Sequence, residues 1–279
     1  MEMVHFIPPG QRRVALLAAQ ADSSPALISG GDGTGKGAIA RWIHNKSPRA
    51  GRPFITANHD HPFVTQIGAA QGGTISISEI GEWPLSEQMA ILGFLRTKSV
   101  RVNGVTTLLN VRVIATTSRS LEKRAQGGLF NPDLLEKLKV FKIEMPPLSK
   151  RQEEFEDIVL GLVGEIGREL HREHLRELSP ETWEALRTYE WPGNVRELRN
   201  VLRVAIIKAA GDRIEASDLP DFGHDRIDFR ATREQFEKIY LLELLKTFDW
   251  QVDRTCQMSR MDRDTLLSKM RKYSIEIQP

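Results

Sequence analysis

Between residues 29 and 37 the chain reads SGGDGTGKG, directly after the apolar run ALIS and directly before the helical pattern KGAIARWIHNKS. Backbone N–H groups in such a loop, together with the following helix amino terminus, can wrap phosphate oxygens. The residues that would do so are Gly30, Gly31, Asp32, Gly33, Thr34, Gly35, Lys36 and Gly37, with the Lys36 ammonium reaching the outer phosphates. A plain glycine turn is the blander reading, but strand, glycines, lysine and helix all agree on phosphate. Position 37 is glycine, so a hydroxyl that commonly ligates a metal after the lysine is missing. A second strand, GGTISISEI at 72–80, ends in one acid, Glu79, which could polarise a water. Ser78 stands where a second carboxylate would complete a metal site, and magnesium demands hard oxygen ligands and charge compensation that a hydroxyl supplies poorly. Other chemistry is thin. His59, Asp60 and His61 lie close together without a third ligand at a confirming spacing, and His171 and His174 sit on a polar stretch that solvent exposure explains.

The elements that must position these residues alternate. Val14, Leu16, Leu17 and Ala18 have helical spacing, and ALIS, the helix from Lys36, PFITA, GGTISIS and the helical LSEQMAILGFLRT follow. VRVNGVTTLLNVRVIATTS then suggests a hairpin and a further strand, so the pattern predicts a mostly parallel sheet covered on both faces. After KIEMPPL the pattern becomes wholly helical, from Lys150 to Ala210. A hydrophobic share of 40% and a charged share of 27% are ordinary for a folded core and exclude a disordered chain. No apolar run approaches the ~18 residues of a membrane span, and the first residues lack a secretory segment, so a cytoplasmic protein without a membrane partner is expected. A single cysteine, Cys256, excludes an internal disulfide. The net charge of +2 is too small to name a partner, but the stretch from Arg254 to Lys272 is locally basic.

Taken in order, GGDGTGKG, GGTISISEIGEWPL, VRVIATTS, LFNPDLLEKLKVFKIEMPPL and WPGNVRELRNV resemble the landmarks of the AAA+ domain of NtrC-type bacterial enhancer-binding proteins, the activators that remodel sigma-54 RNA polymerase. WPGNVREL is the most specific of them, and the resemblance covers residues 10 to 222. It implies an α/β AAA+ P-loop NTPase core with a parallel sheet at 1–146, an α-helical lid at 147–222, a linker at 223–231 and a Fis-type helix-turn-helix at 232–279. Because the resemblance begins almost at Met1, no receiver or sensor domain is expected within the sequence. ATP or ADP is the implied ligand, with magnesium left open. Arg196 falls at the lid's nucleotide-sensing position, Thr117 on the sensor strand, and Asn58 where the family couples the site to a neighbouring excursion.

The departures from the family concern turnover. Its Asp-Glu pair is Ser78-Glu79 here, its sensor asparagine is Ser118, and the arginines it offers to a neighbouring subunit's nucleotide appear as Asn131 and Lys137. An arginine finger is worth about 10³ to 10⁵ in rate, and lysine lacks its fork of donors. Only thirteen residues, 59–71, separate Asn58 from Gly72, where the family carries the long excursion with the GAFTGA loop that grips sigma-54. The expectation is therefore a DNA-binding transcriptional regulator with a degenerate AAA+ domain. It would bind ATP or ADP, hydrolyse it weakly or not at all, and act without sigma-54 remodelling or by co-assembly with a related activator. Two alternatives stand beside it: an active AAA+ ATPase activator in which Glu79, Lys36 and a subunit-donated Lys137 suffice, and a scaffold that senses another ligand such as a cyclic dinucleotide.

In REQFEKIYLLELLKTF, Phe236, Ile239, Leu242 and Leu245 share a face that Tyr240 and Leu241 widen, suited to the next helices and to a second subunit. A short helix from Val252 to Met258, a turn at Ser259–Met261 and a second helix capped by Asp262 follow. That helix would present Arg263, Thr265, Ser268, Lys269, Arg271 and Lys272 to double-stranded DNA, with Leu266, Met270 and Tyr273 inward and Cys256 buried. Arg260 replaces the family's turn glycine and Ser259 a core leucine. The partners expected are DNA, a homo-oligomer of at least two copies or a hetero-oligomer with a related activator, and RNA polymerase by a route other than a sigma-54 loop.

Overall fold

The computed structural model describes residues 6–102, 104–220 and 237–275, the last without 239, 243, 249 and 260. The expected linker at 223–231, and with it Phe236, Ile239 and Arg260, lies outside the described residues. The chain divides into two compact units: Met1–Leu162 with Glu190–Arg196, and Val163–Tyr189 with Glu197–Pro279. Among the described residues no helix is long and apolar enough to cross a membrane.

In the first unit, β1 (Ala26–Gly30), β2 (Phe54–Ala57), β3 (Thr74–Ile77), β6 (Arg112–Thr117) and β7 (Phe141–Met145) form a five-stranded sheet in the order β2-β3-β6-β1-β7. All four pairings are parallel. Successive side chains of a strand point to opposite faces, and the two cores sort accordingly. Leu27, Ile75, Ile77, Val113 and Ala115 enter one cluster with Phe63, Ile91, Phe94, Leu134 and Leu138, while Ala26, Ile28, Ile114 and Ile143 enter the other with Ala15, Ala18, Ile39 and Ile43. The helices that supply those partners are α1 (Pro9–Gln20) and α2 (Lys36–Asn45) on one face, and α4 (Leu85–Thr97) and α6 (Pro132–Leu138) on the other. The antiparallel hairpin of β4 (Ser99–Val102) and β5 (Val105–Leu108) stands apart from the sheet.

The short connection from β2 to β3 is folded. It holds one helical turn, α3 (Phe63–Gln66), and a 3-10 turn (Ile67–Ala70), and buries Phe63, Ile67 and Ala70 in the core. The Gln66 side chain staples it: Oε1 accepts from the Asn58 N–H at 3.2 Å, and Nε2 donates to the carbonyls of Asn58 and His61. The Phe63 N–H donates to the Glu87 carboxylate at 2.7 Å.

The second unit departs from the wholly helical expectation at one place. Glu177–Leu178 and Arg213–Ile214 pair as a two-residue parallel ladder, because the Ile214 carbonyl is claimed by the Ser179 N–H and the Thr182 hydroxyl. Arg172 Nη1 donates to the carbonyls of Ile206 and Ala209 at the end of the helix Asn194–Lys208, satisfying groups that a helix terminus leaves open.

Arg49 is 4% exposed and ties three loops at the amino-terminal edge of the sheet. Its guanidinium donates to the Asp22 carboxylate and carbonyl, to Gly73 O at 3.0 Å, and to the carbonyl and side chain of Asn110. Truncation strands several of these acceptors, so Arg49→Ala should lower stability by about 2 to 4 kcal/mol, read as a lower urea midpoint at unchanged slope.

Candidate functional site

The loop after β1 is shaped by close approaches. A Cβ at Gly33 (φ +75°) would stand 2.1 Å from the Gly193 carbonyl oxygen, and one at Gly30 would stand 2.3 Å from that of Met145. Gly35 (φ +95°) opens α2 without a side-chain cap, leaving the helix amino terminus as the anion-facing end. Thr34 is buried and its hydroxyl donates to Gly31 O at 2.8 Å. Gly37 lies in the first turn of α2, and the Asp32 side chain is 80% exposed.

Lys36 is 7% exposed. Its ammonium donates to the carbonyls of Gly30 (2.8 Å) and Gly31 (3.1 Å) and lies 3.1 Å from Glu79 Oε1. Glu79 follows the end of β3 in the left-handed region, φ 45° and ψ 53°, a conformation that costs a side-chain-bearing residue about 1 to 2 kcal/mol. Its other carboxylate oxygen accepts from the Ser118 N–H at 2.6 Å and the Ser118 hydroxyl at 2.8 Å. Burial pushes this carboxyl upward, but the Ser118 hydrogen bonds and the Lys36 ammonium outweigh it and hold it below its ordinary value. Glu79 is thus ionised at neutral pH, with both oxygens already engaged.

The other expected residues fall in varied places. The Ser78 backbone bonds to Ala57 O and to the Trp83 indole, and its half-buried side chain adds no carboxylate. Thr117 lies 1% exposed and its hydroxyl is spent on the backbone of Arg119, so Thr116 and Ser118 carry the sensor strand's contacts to Glu79. Asn58 is exposed and its side chain accepts from the Asp60 N–H; it does not reach Glu79. Asn131, expected at an arginine position facing a neighbour, is the N-cap of α6, accepting from the Leu134 N–H at 3.0 Å. Lys137 is exposed on the last turn of α6. The Arg196 side chain is exposed, and its backbone N–H donates to Gly33 O at 3.1 Å.

Sequence reasoning did not single out Asn194. Its Nδ2 donates to Asp32 O at 2.9 Å and its Oδ1 accepts from the Leu148 N–H at 2.8 Å, so one amide joins the phosphate loop to the segment after β7. Trp191 (φ 54°) and Asn194 (φ 56°) are both left-handed, and the Pro-Gly-Asn turn signal was the trace of this in the sequence. The groups present suit a polyphosphate: a glycine cradle, a helix amino terminus and a buried ammonium. They suit magnesium less, since Glu79 and the exposed Asp32 are the carboxylates within 4 Å of Lys36 among the described residues. Among those residues no group of three or more His, Cys, Asp or Glu could hold a metal, which includes His59 and His61.

Near the carboxyl end, α10 (Val252–Ser259) and α11 (Arg263–Lys272) pack with helical residues between 237 and 247. Leu241, Leu245, Leu266, Met270, Tyr273 and Ile275 form the core, so this part of the apolar stripe faces its own module. Cys256 is half-buried against that core, less enclosed than expected. Asp262 caps α11 by accepting from the Thr265 N–H at 2.8 Å, and the Thr265 hydroxyl also bonds to it. Lys269 is not free for phosphate: it is half-buried and paired with Glu237, which Tyr273 also contacts. Arg263, Ser268, Arg271 and Lys272 are exposed, with Arg263 3.5 Å from Asp253.

A parallel α/β core carrying a phosphate loop on its first strand, a helical lid and a terminal helix-turn-helix define a AAA+ P-loop regulator. Residues 11–148 match the sigma-54 interaction domain, 149–235 the AAA+ ATPase lid domain and 232–273 the Fis family of bacterial regulatory proteins. The chain belongs to the NtrC-type enhancer-binding proteins, regulators of sigma-54-dependent transcription. It is 32% identical to the alginate biosynthesis regulator AlgB of Pseudomonas syringae over 89% of the chain and 62% of that protein. It is 37% identical to NtrC of Salmonella typhimurium over 71% of the chain and 47% of that protein. The chain thus spans about half to three-fifths of the length of these relatives. Among solved structures, NtrX from Brucella abortus in complex with ATP superposes with a TM-score of 0.65 at 27% identity, over 95% of this chain and 67% of that one. The same protein in complex with ADP gives 0.63 at 27% identity with the same coverage.

The lowered Glu79 carboxyl has a pH signature. Its stabilising contribution is fully present above the unfolded carboxylate value and is lost as pH falls through the lower folded value. The stability gap between the parent and Glu79→Gln should therefore stay constant from pH 7 to about 5 and narrow below that, measured as urea midpoints.

Proposed function

We propose that this chain is a DNA-binding transcriptional regulator whose P-loop unit binds ATP or ADP but turns it over poorly, and that it acts other than by gripping sigma-54 through an extended loop. The observation that carries the reading is the state of Glu79. A carboxylate that orients or deprotonates water needs a free lone pair within reach of it. Here Ser118 takes two acceptor sites of one oxygen and Lys36 takes one of the other, which leaves a single acceptor site for water. Ser78 offers no second negative charge to compensate a divalent cation, and Asn131 caps a helix where a neighbour-facing cation is needed. The connection between β2 and β3 supports the second half of the proposal, since its apolar residues are committed to the core and its ends are stapled by Gln66. Bound nucleotide then serves as a switch or brace, and activation of polymerase would pass through other contacts or through co-assembly with a related activator. Phosphate would be met by the amino end of α2 and by Lys36, whose ammonium must exchange loop carbonyls for phosphate oxygens. Magnesium, when bound with nucleotide, would add charge compensation at those oxygens.

Nucleotide binding and steady-state hydrolysis, measured on one purified sample with magnesium across a range of protein concentrations, test the proposal. Saturable binding is expected, with turnover at least about 10³ below that of an activator that has its arginine finger. Turnover rising with protein concentration toward such a rate would overturn it and establish a working ATPase.

On the DNA side, Arg263→Ala and Arg271→Ala should each weaken operator binding and reduce the slope of log K against log salt by about one phosphate contact. Lys269→Ala should leave that slope unchanged and lower the module's stability instead, because Lys269 is paired with Glu237. Equal slopes for all four proteins would remove α11 from the DNA interface.

A further inference from the structure

The edge of the sheet opposite the phosphate loop carries a second site. A cleft of about 390 Å³ opens there, lined by Ser23, Gln71, Lys98, Leu108, Leu109, Asn110 and Val111. These residues precede β1, β3 and β6 or lie at the ends of the β4–β5 hairpin, where Leu108 closes β5 and the Leu109 N–H donates to Lys98 O at 2.8 Å. Leu109 and Val111 are buried, while Leu108 is 75% exposed at the mouth.

The charge around this cleft is lopsided. Lys98 contributes an ammonium that no carboxylate pairs with among the described residues; the Phe94 ring, 5.4 Å away, is its aromatic neighbour. Behind the wall, Arg49 holds both the carbonyl and the side chain of Asn110, and the fully buried Arg112 leaves Nη1 without a hydrogen-bond partner. Asp22, bound to Arg49, is the carboxylate of the group. The remaining polar groups of the lining can donate: Gln71 spends its Oε1 on the Asn110 N–H, which leaves its amide nitrogen, and Ser23 offers a hydroxyl. Burial and the Arg49 cation both push the Lys98 ammonium below its ordinary value, an imbalance that a bound anion would relieve.

Lys98 also holds a strained position. It is the C-cap of α4 at φ 55°, a left-handed conformation in which glycine is the ordinary residue. Strain kept at a non-glycine residue marks a side chain whose placement matters.

We propose that this cleft binds a small organic carboxylate with an apolar body, its acid group at Lys98 and its body on Leu108, Leu109 and Val111. An apolar lining with a few converging polar groups is the usual composition of a small-molecule site; here the Lys98 ammonium, the Gln71 amide nitrogen and the Ser23 hydroxyl can each donate to an anion, while the one carboxylate, Asp22, is tied to Arg49. Inorganic phosphate would leave the apolar floor unused. Occupancy would bear on the base of the exposed hairpin, giving the protein a chemical input separate from its nucleotide.

The test is calorimetric titration of the full chain with benzoate and hexanoate, with benzamide and inorganic phosphate as controls. Four proteins serve: the parent, Lys98→Gly, Lys98→Met and Lys36→Ala. Saturable binding of at least one acid is expected, with binding about tenfold weaker or more for benzamide and for both Lys98 variants. Lys98→Gly should keep or raise the urea midpoint, because glycine fits the left-handed cap, so its loss of binding would not be a loss of fold. Lys36→Ala should bind the acids like the parent, which separates this site from the nucleotide site. The proposal is overturned by no saturable binding of either acid, by undiminished binding in Lys98→Gly, by phosphate binding as tightly as the acids, or by loss of acid binding in Lys36→Ala.

Discussion

A buried ammonium must be surrounded by acceptors, and the organisation around the phosphate loop follows from how Lys36 meets that demand. Two loop carbonyls and the Glu79 carboxylate take its protons. Through Glu79 the demand passes to Ser118 at the end of β6, and the three side chains link the ends of three neighbouring strands of one parallel sheet. Satisfying the cation in this way fixes the Glu79 carboxylate beside the loop, so one electrostatic constraint ties loop geometry to the position of that acid.

The turn at Trp191–Asn194 imposes a second constraint on that loop. Gly33 can approach the Gly193 carbonyl only because it lacks a Cβ, and the approach lets Asn194 and the Arg196 N–H take up the carbonyls of Asp32 and Gly33. The loop therefore turns the carbonyls of Asp32 and Gly33 toward the turn, while those of Gly30 and Gly31 face Lys36.

The short connection between β2 and β3 completes the core rather than interrupting it. Phe63, Ile67 and Ala70 fill the face that α4 and α6 cover, and the polar ends of the segment are satisfied by Gln66 and Glu87. The carboxyl-terminal module shows similar economy: Asp262 starts α11, and a Glu237–Lys269 pair fixes that helix against the helical residues at 237–247. A lysine so used is a packing residue, whatever its charge suggests.

Much of this was legible in the sequence because it is local. The glycine spacing before Lys36, the two-residue alternation of Ala26, Leu27 and Ile28, the Asp262 cap and the order of strands and helices follow from backbone preferences and periodicity acting over a few residues. Tertiary structure alone decided which polar groups meet. The contacts of Asn194 with Asp32, 162 positions apart, of Ser118 with Glu79, 39 apart, and of Lys269 with Glu237, 32 apart, depend on packing that no local pattern encodes. Asn131 and Thr117 are different: their contacts are local, but their residue types fit a nucleotide site as well as a helix cap or a turn. The fold decided between those roles by where it placed each residue: Asn131 at the start of a helix, with Met89 also in reach of its amide, and Thr117 beside the Arg119 backbone.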